Sequence, residues 1–385
     1  VSAADGQITP FLDALFTAAS ASCVTGLVTV STAVHWSVFG KCVILLLIQI
    51  GGLGFMSVAA IASFVLRRTI TLHERMVMSA GLNLSDGGGI VRLTRRVLFG
   101  TFIIEGTGAV LLSCRFVPHY GFPKGITMGV FHAVSAFCNA GFDLMGTPDD
   151  PFQSLIGWAE DPLVNITVMA LIVLGGLGFF VWSDVWDKHS FCRLRLHTKI
   201  VLTATAGLLL FGFGWTLLFE WSNPATLGAF DTPHKLLAAA FESVTLRTAG
   251  FNTIDLGALT GPSQAVSCLL MFIGGSPGST AGGIKTVTAA VLVLTAISAF
   301  CGRTTVSAFG RTIAPRSIMN AVTLLMAGGV LCLVGACAIA GIEDAPFHQC
   351  LFEAVSAFGT VGVSMGLTPT LAAASRVILI VMMYM

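Results

Sequence analysis

The sequence has few charged residues. Of its 385 residues only 10% are Asp, Glu, Lys or Arg, whereas soluble globular domains are about 25% charged. Hydrophobic residues make up 55% of the chain, and the mean hydropathy is +0.88. A soluble protein of this size could not bury so much apolar surface, and the same hydrophobicity excludes a disordered chain. A net charge of +1 argues against binding to nucleic acid.

Charge is missing altogether from several long runs of the chain. They cover residues 42–66, 162–183, 201–219, 256–284 and 317–342. A helix needs about 20 apolar residues to cross the hydrocarbon core of a bilayer. The short alternating segments of an outer-membrane barrel are not found. The sequence therefore predicts an all-α integral membrane protein whose partner is the lipid bilayer.

The sequence also lacks the usual marks of metal and catalytic sites. Its ten cysteines are scattered, without a C-x-x-C motif or a His/Cys cluster, and we interpret them as small buried hydrophobic residues. The apolar runs hold no converging Ser, His and Asp residues, so no enzyme is predicted. The first residues of the given sequence do not predict a signal peptide.

Basic residues are concentrated in three segments between apolar runs, which hold 13 of the 20 Lys and Arg residues. These are Arg67, Arg68, Arg75, Arg92, Arg95 and Arg96, then Lys188, Arg193, Arg195 and Lys199, then Arg303, Arg311 and Arg316. The positive-inside rule predicts that these segments are cytoplasmic in a bacterial inner membrane. Anchoring to lipid headgroups would give them the same orientation.

One motif occurs four times. It reads FTAASASCVTGL from Phe16, FHAVSAFCNAGF from Phe131, FESVTLRTAGF from Phe241 and FEAVSAFGTVGV from Phe352. A second motif follows the first two copies, as IGGLGF at 50–55 and LGGLGF at 174–179, and the third copy has IGGSPG at 273–278. Such self-similarity is the signature of repeated units. We predict four repeats, at 1–70, 71–186, 187–302 and 303–385.

Each copy of the motif is too short to cross a bilayer as a helix. A segment of roughly ten residues that dips in and is followed by a loop fits better. Non-helical backbone at membrane depth is tolerated only where protein or a water-filled cavity surrounds it. We therefore predict four helix–pore-loop–helix repeats around one central pore, with the loops opening outward.

The pore loops contain no carboxylate beside the repeated glycine. The predicted ion-binding filter residues are Val24, Thr25, Gly26, Asn139, Ala140, Gly141, Thr248, Ala249, Gly250, Thr360, Val361 and Gly362. Backbone carbonyls from four such loops can replace the hydration shell of a monovalent cation. Glycine permits the close approach and the unusual dihedral angles that this needs. The alternative is that the glycines only allow close helix packing.

The charge-free run at 256–284 is interrupted by small and helix-breaking residues. These are Gly274, Gly275, Ser276, Pro277, Gly278, Ser279, Thr280, Ala281, Gly282 and Gly283. We predict that they form a gate below the filter, with Lys285 pairing with the loop or repelling cations. A simple kink is the alternative. The segment is not a phosphate-binding loop, because Ile284 separates Gly283 from Lys285.

Two further charges fall close to the predicted membrane interior. Glu105 lies within an apolar helix, and a structural ion pair or hydrogen bond is the favoured interpretation over a direct functional role. Arg247 adjoins the third loop, where Glu242 or Glu353 is expected to hold it.

These segments resemble the Trk/Ktr/HKT superfamily of potassium transporters, nearest the bacterial Ktr membrane subunit. The resemblance rests on the four loops, including TAGFNT at 248–253, and on IGGSPGSTAGGIKT at 273–286. It implies the potassium-translocating subunit of a bacterial uptake system, with K⁺ at the filter and a possible dependence on Na⁺. Glycine in all four loops implies potassium preference. A Trk-type or less selective Na⁺/K⁺ uptake protein of the same superfamily is the alternative.

The same resemblance implies partners. Members form a membrane homodimer on a cytosolic ring of regulatory subunits that bind nucleotide, while the membrane chain itself needs no cofactor. The sequence departs from the family at both ends. Its first repeat is expected to lack the outer helix. The last inner helix stops at Met385 without the family's pore-facing arginine, whose role we do not transfer to Arg376.

Overall fold

The computed structural model describes residues 3, 4, 6, 8–54 and 90–385, with side chains from Thr94 onward in the second stretch. Arg67, Arg68, Arg75, the end of the 42–66 run and the boundary predicted between the first two repeats lie outside the described residues.

The described residues are mostly helical, which confirms the all-α class. The helices are α1 (Phe11–Ser22), α2 (Thr32–His35), α3 (Val38–Leu53), α4 (Ile90–Tyr120), α5 (Phe122–Phe137), α6 (Pro162–Leu177), α7 (Phe179–Lys188), α8 (Leu196–Glu220), α9 (Thr232–Thr245), α10 (Gly261–Phe272), α11 (Thr286–Phe300), α12 (Pro315–Ile342), α13 (Phe347–Gly359) and α14 (Ala373–Tyr384). In this part of the chain, sheet is limited to a hairpin of β1 (Ser307–Ala308) and β2 (Arg311–Thr312).

Three of these helices are long and apolar enough to cross a membrane, namely α4, α8 and α12. The 162–183 run, which the sequence suggests as one span, is instead divided into α6 and α7 with a bend of 92°. Gly178 lies at the bend with a φ of +91°, a conformation that glycine adopts without steric cost. Long apolar helices with exposed apolar faces indicate a membrane protein.

The four copies of the repeated motif lie in the short helices α1, α5, α9 and α13. They contain 12, 16, 14 and 13 residues, somewhat more than the ten expected, and all are shorter than a membrane span. The extra residues precede the repeated Phe. A proline lies at the start of each helix, as the N-cap residue in α1 and α13 (Pro10 and Pro346) and as the second residue in α5 and α9 (Pro123 and Pro233). Proline is tolerated at the start of a helix because the first turn needs no amide donor.

The short helices are held in a closed order by their neighbours. A longer helix precedes and packs against three of them, in the pairs α4–α5, α8–α9 and α12–α13. The helix that follows each copy packs against the next short helix, in the pairs α3–α5, α6–α9, α10–α13 and α14–α1. The last of these pairs joins the end of the chain to its beginning, so the four short helices form a ring.

Candidate functional site

Each short helix ends in a loop with the same backbone conformation. We call residues 24–26, 139–141, 248–250 and 360–362 glycine loops 1 to 4. The first residue of each loop has a positive φ, at 57°, 59°, 67° and 49° for Val24, Asn139, Thr248 and Thr360. The glycines have φ values of 92°, 66°, 83° and 90°. Positive φ is unfavourable for β-branched residues, and such strain clusters at functional sites.

The four glycines lie against one another in a ring. A Cβ atom added to Gly141 would stand 2.7 Å from Gly250 Cα and 2.9 Å from the Ala249 carbonyl oxygen. One added to Gly250 would stand 2.8 Å from the Val361 carbonyl oxygen. A Cβ atom added to Gly362 would stand 2.9 Å from Gly26 Cα, and one added to Gly26 would stand 3.1 Å from Gly141 Cα. Each glycine therefore faces the backbone of the next loop, and no larger residue fits.

The sequence-predicted filter residues are thus brought together. Eleven of the twelve are buried, and Gly362 is half-buried. Loops 2 and 3 are also joined directly, because the Asn139 side-chain amide shares a hydrogen bond with Thr248 Oγ1 at 3.2 Å. The groups that the loops present to one another are mainly backbone carbonyls, and no carboxylate belongs to the ring.

Sequence reasoning missed one residue in each copy that fixes the loop. The Ser135, Thr245 and Ser356 hydroxyls donate to the carbonyl of the residue after the glycine, at 2.6–2.7 Å. In the first copy, Ser20 Oγ accepts instead from the Gly26 amide at 3.0 Å. A hydroxyl five or six residues before every glycine was the signal available in the sequence.

A cavity of about 380 Å³ lies on one side of the ring. All four glycines line it, together with Asp143, Asp150 and Asp255. No Lys or Arg is among the described residues that line it. The cavity therefore has an acidic wall that leads to uncharged carbonyl groups.

The broken segment, 274–285, runs between α10 and α11 and contacts the glycine loops. Gly282 lies against the Thr360 side chain, and Thr280 Oγ1 donates to the Phe137 carbonyl at 3.3 Å. The Ser276 amide donates to Gly176 O at 3.0 Å, and the Phe179 amide donates to Gly278 O at 2.9 Å. The segment is thus packed into the bend between α6 and α7.

Lys285 pairs with its own segment. Its ammonium donates to the Ala281 carbonyl at 2.6 Å. This contact agrees with the first of the two roles predicted for it, a bond to the loop.

The expectation that a glutamate holds Arg247 is wrong. Its guanidinium donates to Gly274 O and to Thr286 Oγ1, both at 3.2 Å. Glu353 already accepts hydrogen bonds from Ser364, Met365 and Thr368. Glu242 lies five residues before Arg247, outside the three- or four-residue spacing at which helical side chains meet.

The remaining predicted charges have structural partners. Gln49 Nε2 donates to both carboxylate oxygens of Glu105, at 3.2 and 3.1 Å, which confirms the expected hydrogen bond. Arg376 pairs with Asp13 at 2.5 Å and so connects α14 to α1. Among the described residues no three His, Cys, Asp or Glu side chains are grouped to hold a metal ion.

Comparison with known proteins agrees with these features. Residues 2–385 match the model of the TrkH family, described as cation transport protein. The chain is 41% identical to a potassium/sodium uptake protein, NtpJ, of Enterococcus hirae, over 98% of this chain and 83% of that protein. It is 42% identical to the Ktr system potassium uptake protein B of Bacillus subtilis, over 97% and 83%. The fold matches the crystal structure of the potassium transporter TrkH from Vibrio parahaemolyticus, with a TM-score of 0.73, 16% identity and coverage of 97% and 75%.

Proposed function

The chain belongs to the TrkH family of cation transport proteins, which are transporters and not enzymes, and on this premise we propose that it is the potassium-translocating subunit of a bacterial uptake system. In this proposal four helix–pore-loop–helix repeats surround one pore. The glycine loops form the selectivity filter of that pore.

The ring of four glycines with one shared backbone conformation is the observation that carries this proposal. Backbone carbonyls in such a ring can coordinate a dehydrated monovalent cation. A site for divalent cations usually includes carboxylate ligands, and the ring has none. Helices α1, α5, α9 and α13 end at the ring, so the negative ends of their dipoles point toward the ion.

Potassium preference is the finer part of the proposal. It rests on glycine in all four loops, since a side chain at any of these positions would distort the carbonyl cage. A less selective sodium/potassium uptake protein is the second candidate, which the printed name of the Enterococcus relative favours. Competitive flux of the two ions separates these candidates.

We further propose that the 274–285 segment is the gate. Its helix breakers keep it irregular, and it packs beside loops 2 and 4 where it can obstruct the path of the ion. The basic segments are cytoplasmic in this proposal, and the cavity with the acidic wall opens outward. Two copies of the chain would form a dimer on a cytosolic ring of nucleotide-binding subunits.

The filter is tested by adding a side chain to the ring. In proteoliposomes, Gly26→Ser and Gly250→Ser should lower the preference for K⁺ over Na⁺ by about tenfold, equivalent to ~1.4 kcal/mol, because the hydroxymethyl group displaces a neighbouring loop. Gly261→Ser is the matched control, since a Cβ atom there meets nothing within 4 Å. Unchanged selectivity in both ring variants would show that the backbone-filter proposal is wrong.

A further inference from the structure

The surroundings of Arg247 are unusual for a buried arginine. The residue is only 7% exposed, and among the described residues no carboxylate forms an ion pair with it. Its Nε atom has no partner in this part of the chain. The hydrogen bonds of the guanidinium go to Gly274 O and Thr286 Oγ1.

A buried guanidinium without an anion is costly, and it does not lose its proton. The neutral oxygens of Gly274 and Thr286 are therefore the groups that compensate the charge. Gly274 is the first residue of the broken segment, and Thr286 follows its last residue as the first residue of α11. A movement that takes these two residues away from Arg247 would leave a buried charge without acceptors, so Arg247 resists that movement.

The two ends are also bonded to each other. The Thr286 amide donates to Gly275 O at 2.9 Å, and the Ile284 amide donates to Phe272 O at 3.2 Å. Thr286 Oγ1 lies 3.3 Å from Gly274 O. These contacts close the segment into a loop with a narrow neck, formed by residues 272–275 and 284–286. The tip, residues 276–283, lies beyond the neck and reaches the glycine loops.

Arg247 is also directly attached to glycine loop 3. The next residue, Thr248, opens that loop with a φ of 67° and contacts Asn139 of loop 2. One side chain therefore connects the backbone of a glycine loop to both sides of the neck.

We propose that Arg247 is a positioning residue that holds the neck against glycine loop 3 and thereby keeps the tip in the obstructing position. The inference rests on the proposed function and deepens it. Loss of the guanidinium frees the neck, the tip leaves the ring more often, and ions pass faster. Selectivity is little changed, because the four glycine loops are held separately by the hydroxyl groups of Ser20, Ser135, Thr245 and Ser356.

The test uses the full chain in proteoliposomes, with rubidium tracer for flux and K⁺/Na⁺ competition for selectivity. Arg247→Gln should raise flux about tenfold, as expected for lost hydrogen bonds to a charged group. Arg247→Lys should raise it less, since the ammonium keeps the charge but lacks the planar fork. Thr286→Val, which removes one acceptor at similar volume, should also raise flux. Lys124→Gln removes an exposed positive charge outside the glycine loops and the broken segment and should change nothing.

A deletion of tip residues 277–281 separates coupling from a purely structural role. If Arg247 acts through the tip, Arg247→Gln adds no further flux once those residues are removed. An equal increase in both backgrounds, or wild-type flux in folded Arg247→Gln, would overturn the inference. If Arg247→Gln does not fold, Thr286→Val takes its place: its flux is compared with that of wild type, and then with and without residues 277–281.

Failure of the proposed function would look different. A wild-type chain that carries no rubidium or K⁺ would refute the transport proposal and the inference with it. A wild-type chain that conducts, together with variants that behave as wild type, refutes the coupling alone.

Discussion

Two glutamates at the same position of the repeated motif have opposite surroundings. Glu353 accepts hydrogen bonds from Ser364 Oγ at 2.6 Å, the Met365 amide at 3.0 Å and Thr368 Oγ1 at 2.5 Å. Through these bonds it holds the chain that follows glycine loop 4. Glu242 is equally buried, but no hydrogen-bond donor in the described part of the chain reaches either of its oxygens.

The contrast predicts different costs for the same substitution. Glu353→Gln should lower stability by about 1–3 kcal/mol, because its amide group would face donors that need an acceptor. Glu242→Gln should be neutral or slightly stabilising, since it removes a carboxylate that has no donor. Thermal unfolding of the two purified variants measures the difference. Equal losses of melting temperature would contradict this interpretation.

The surroundings of a third carboxylate, that of Asp143, predict that K⁺ transport depends on pH. Asp143 is half-buried in the cavity wall beside glycine loop 2, and burial raises its pKa to about 6, although the Met145 amide, at 2.9 Å, opposes the shift. Acidification from pH 7.5 to 5 therefore protonates Asp143 and reduces the negative charge of the cavity wall. Apparent affinity for K⁺ should fall roughly two- to fivefold, because less negative charge attracts the cation.

Two variants separate this effect from other pH effects. Asp143→Asn should show the lower affinity at both pH values and so lose the dependence. Asp255→Asn should lower affinity but retain the dependence. A steep dependence that persists in Asp143→Asn would assign the effect to another group. Initial rates of K⁺ uptake measured against K⁺ concentration give the affinities.

Individual residues of the site were predictable to the extent that the motif repeats. The twelve residues of the glycine loops followed from alignment of the four copies. The hydroxyl residues Ser20, Ser135, Thr245 and Ser356 could have been found by the same alignment. The partner of Arg247 could not be predicted, because Gly274 and Thr286 are 27 and 39 residues away. The sequence suggested Glu242 or Glu353 as the partner, whereas the fold brings Gly274 and Thr286 to the arginine.

At the scale of elements, the broken segment and the bend at Gly178 form one unit. Gly278 O accepts from Phe179, the first residue of α7, and Gly176 O accepts from Ser276. The sequence indicated both the 174–179 motif and the broken segment as glycine-rich. It did not indicate that the first divides the 162–183 run into two helices, or that the broken segment packs into the bend between them. Glycine patterns show where a helix can break, while the angle of 92° depends on what packs there.

This arrangement predicts the effect of shortening the segment. Deleting residues 277–281 should raise K⁺ flux severalfold, because the tip that packs beside the glycine loops is removed. The ratio of K⁺ to Na⁺ flux should stay nearly unchanged, since the ring is braced from its own short helices. Pro277→Ala should have little effect, because the flanking glycines still disfavour helix. Tracer flux and ion competition in the same proteoliposomes measure both quantities.

A folded deletion variant with lower flux would mean that the segment keeps the path open. In that case the gating proposal should be abandoned. Lower selectivity with higher flux would instead mean that the tip supports the ring.

At the scale of the whole molecule, the ring is closed by contacts between distant parts of the chain. Helix α14 packs against α1, and Arg376 pairs with Asp13 across 363 residues. The sequence predicted a closed arrangement because four copies of one short segment each need protein on every side. The order of neighbours around the ring follows the order of the copies along the chain.

The whole molecule also predicts where regulation resides. The stretch at 278–285, which resembles a phosphate-binding loop in spacing, already has internal partners for its charged neighbours. Lys285 donates to Ala281 O, and Arg247 donates to Gly274 O. Under the proposed topology, nucleotide should therefore act through a separate subunit that binds the basic segments, which include Arg303, Arg311 and Arg316. Purified alone, the chain should conduct K⁺ at the same rate with and without ATP or ADP. Titration calorimetry should show no saturable binding of ATP to it, and saturable binding would place the regulatory site within this chain.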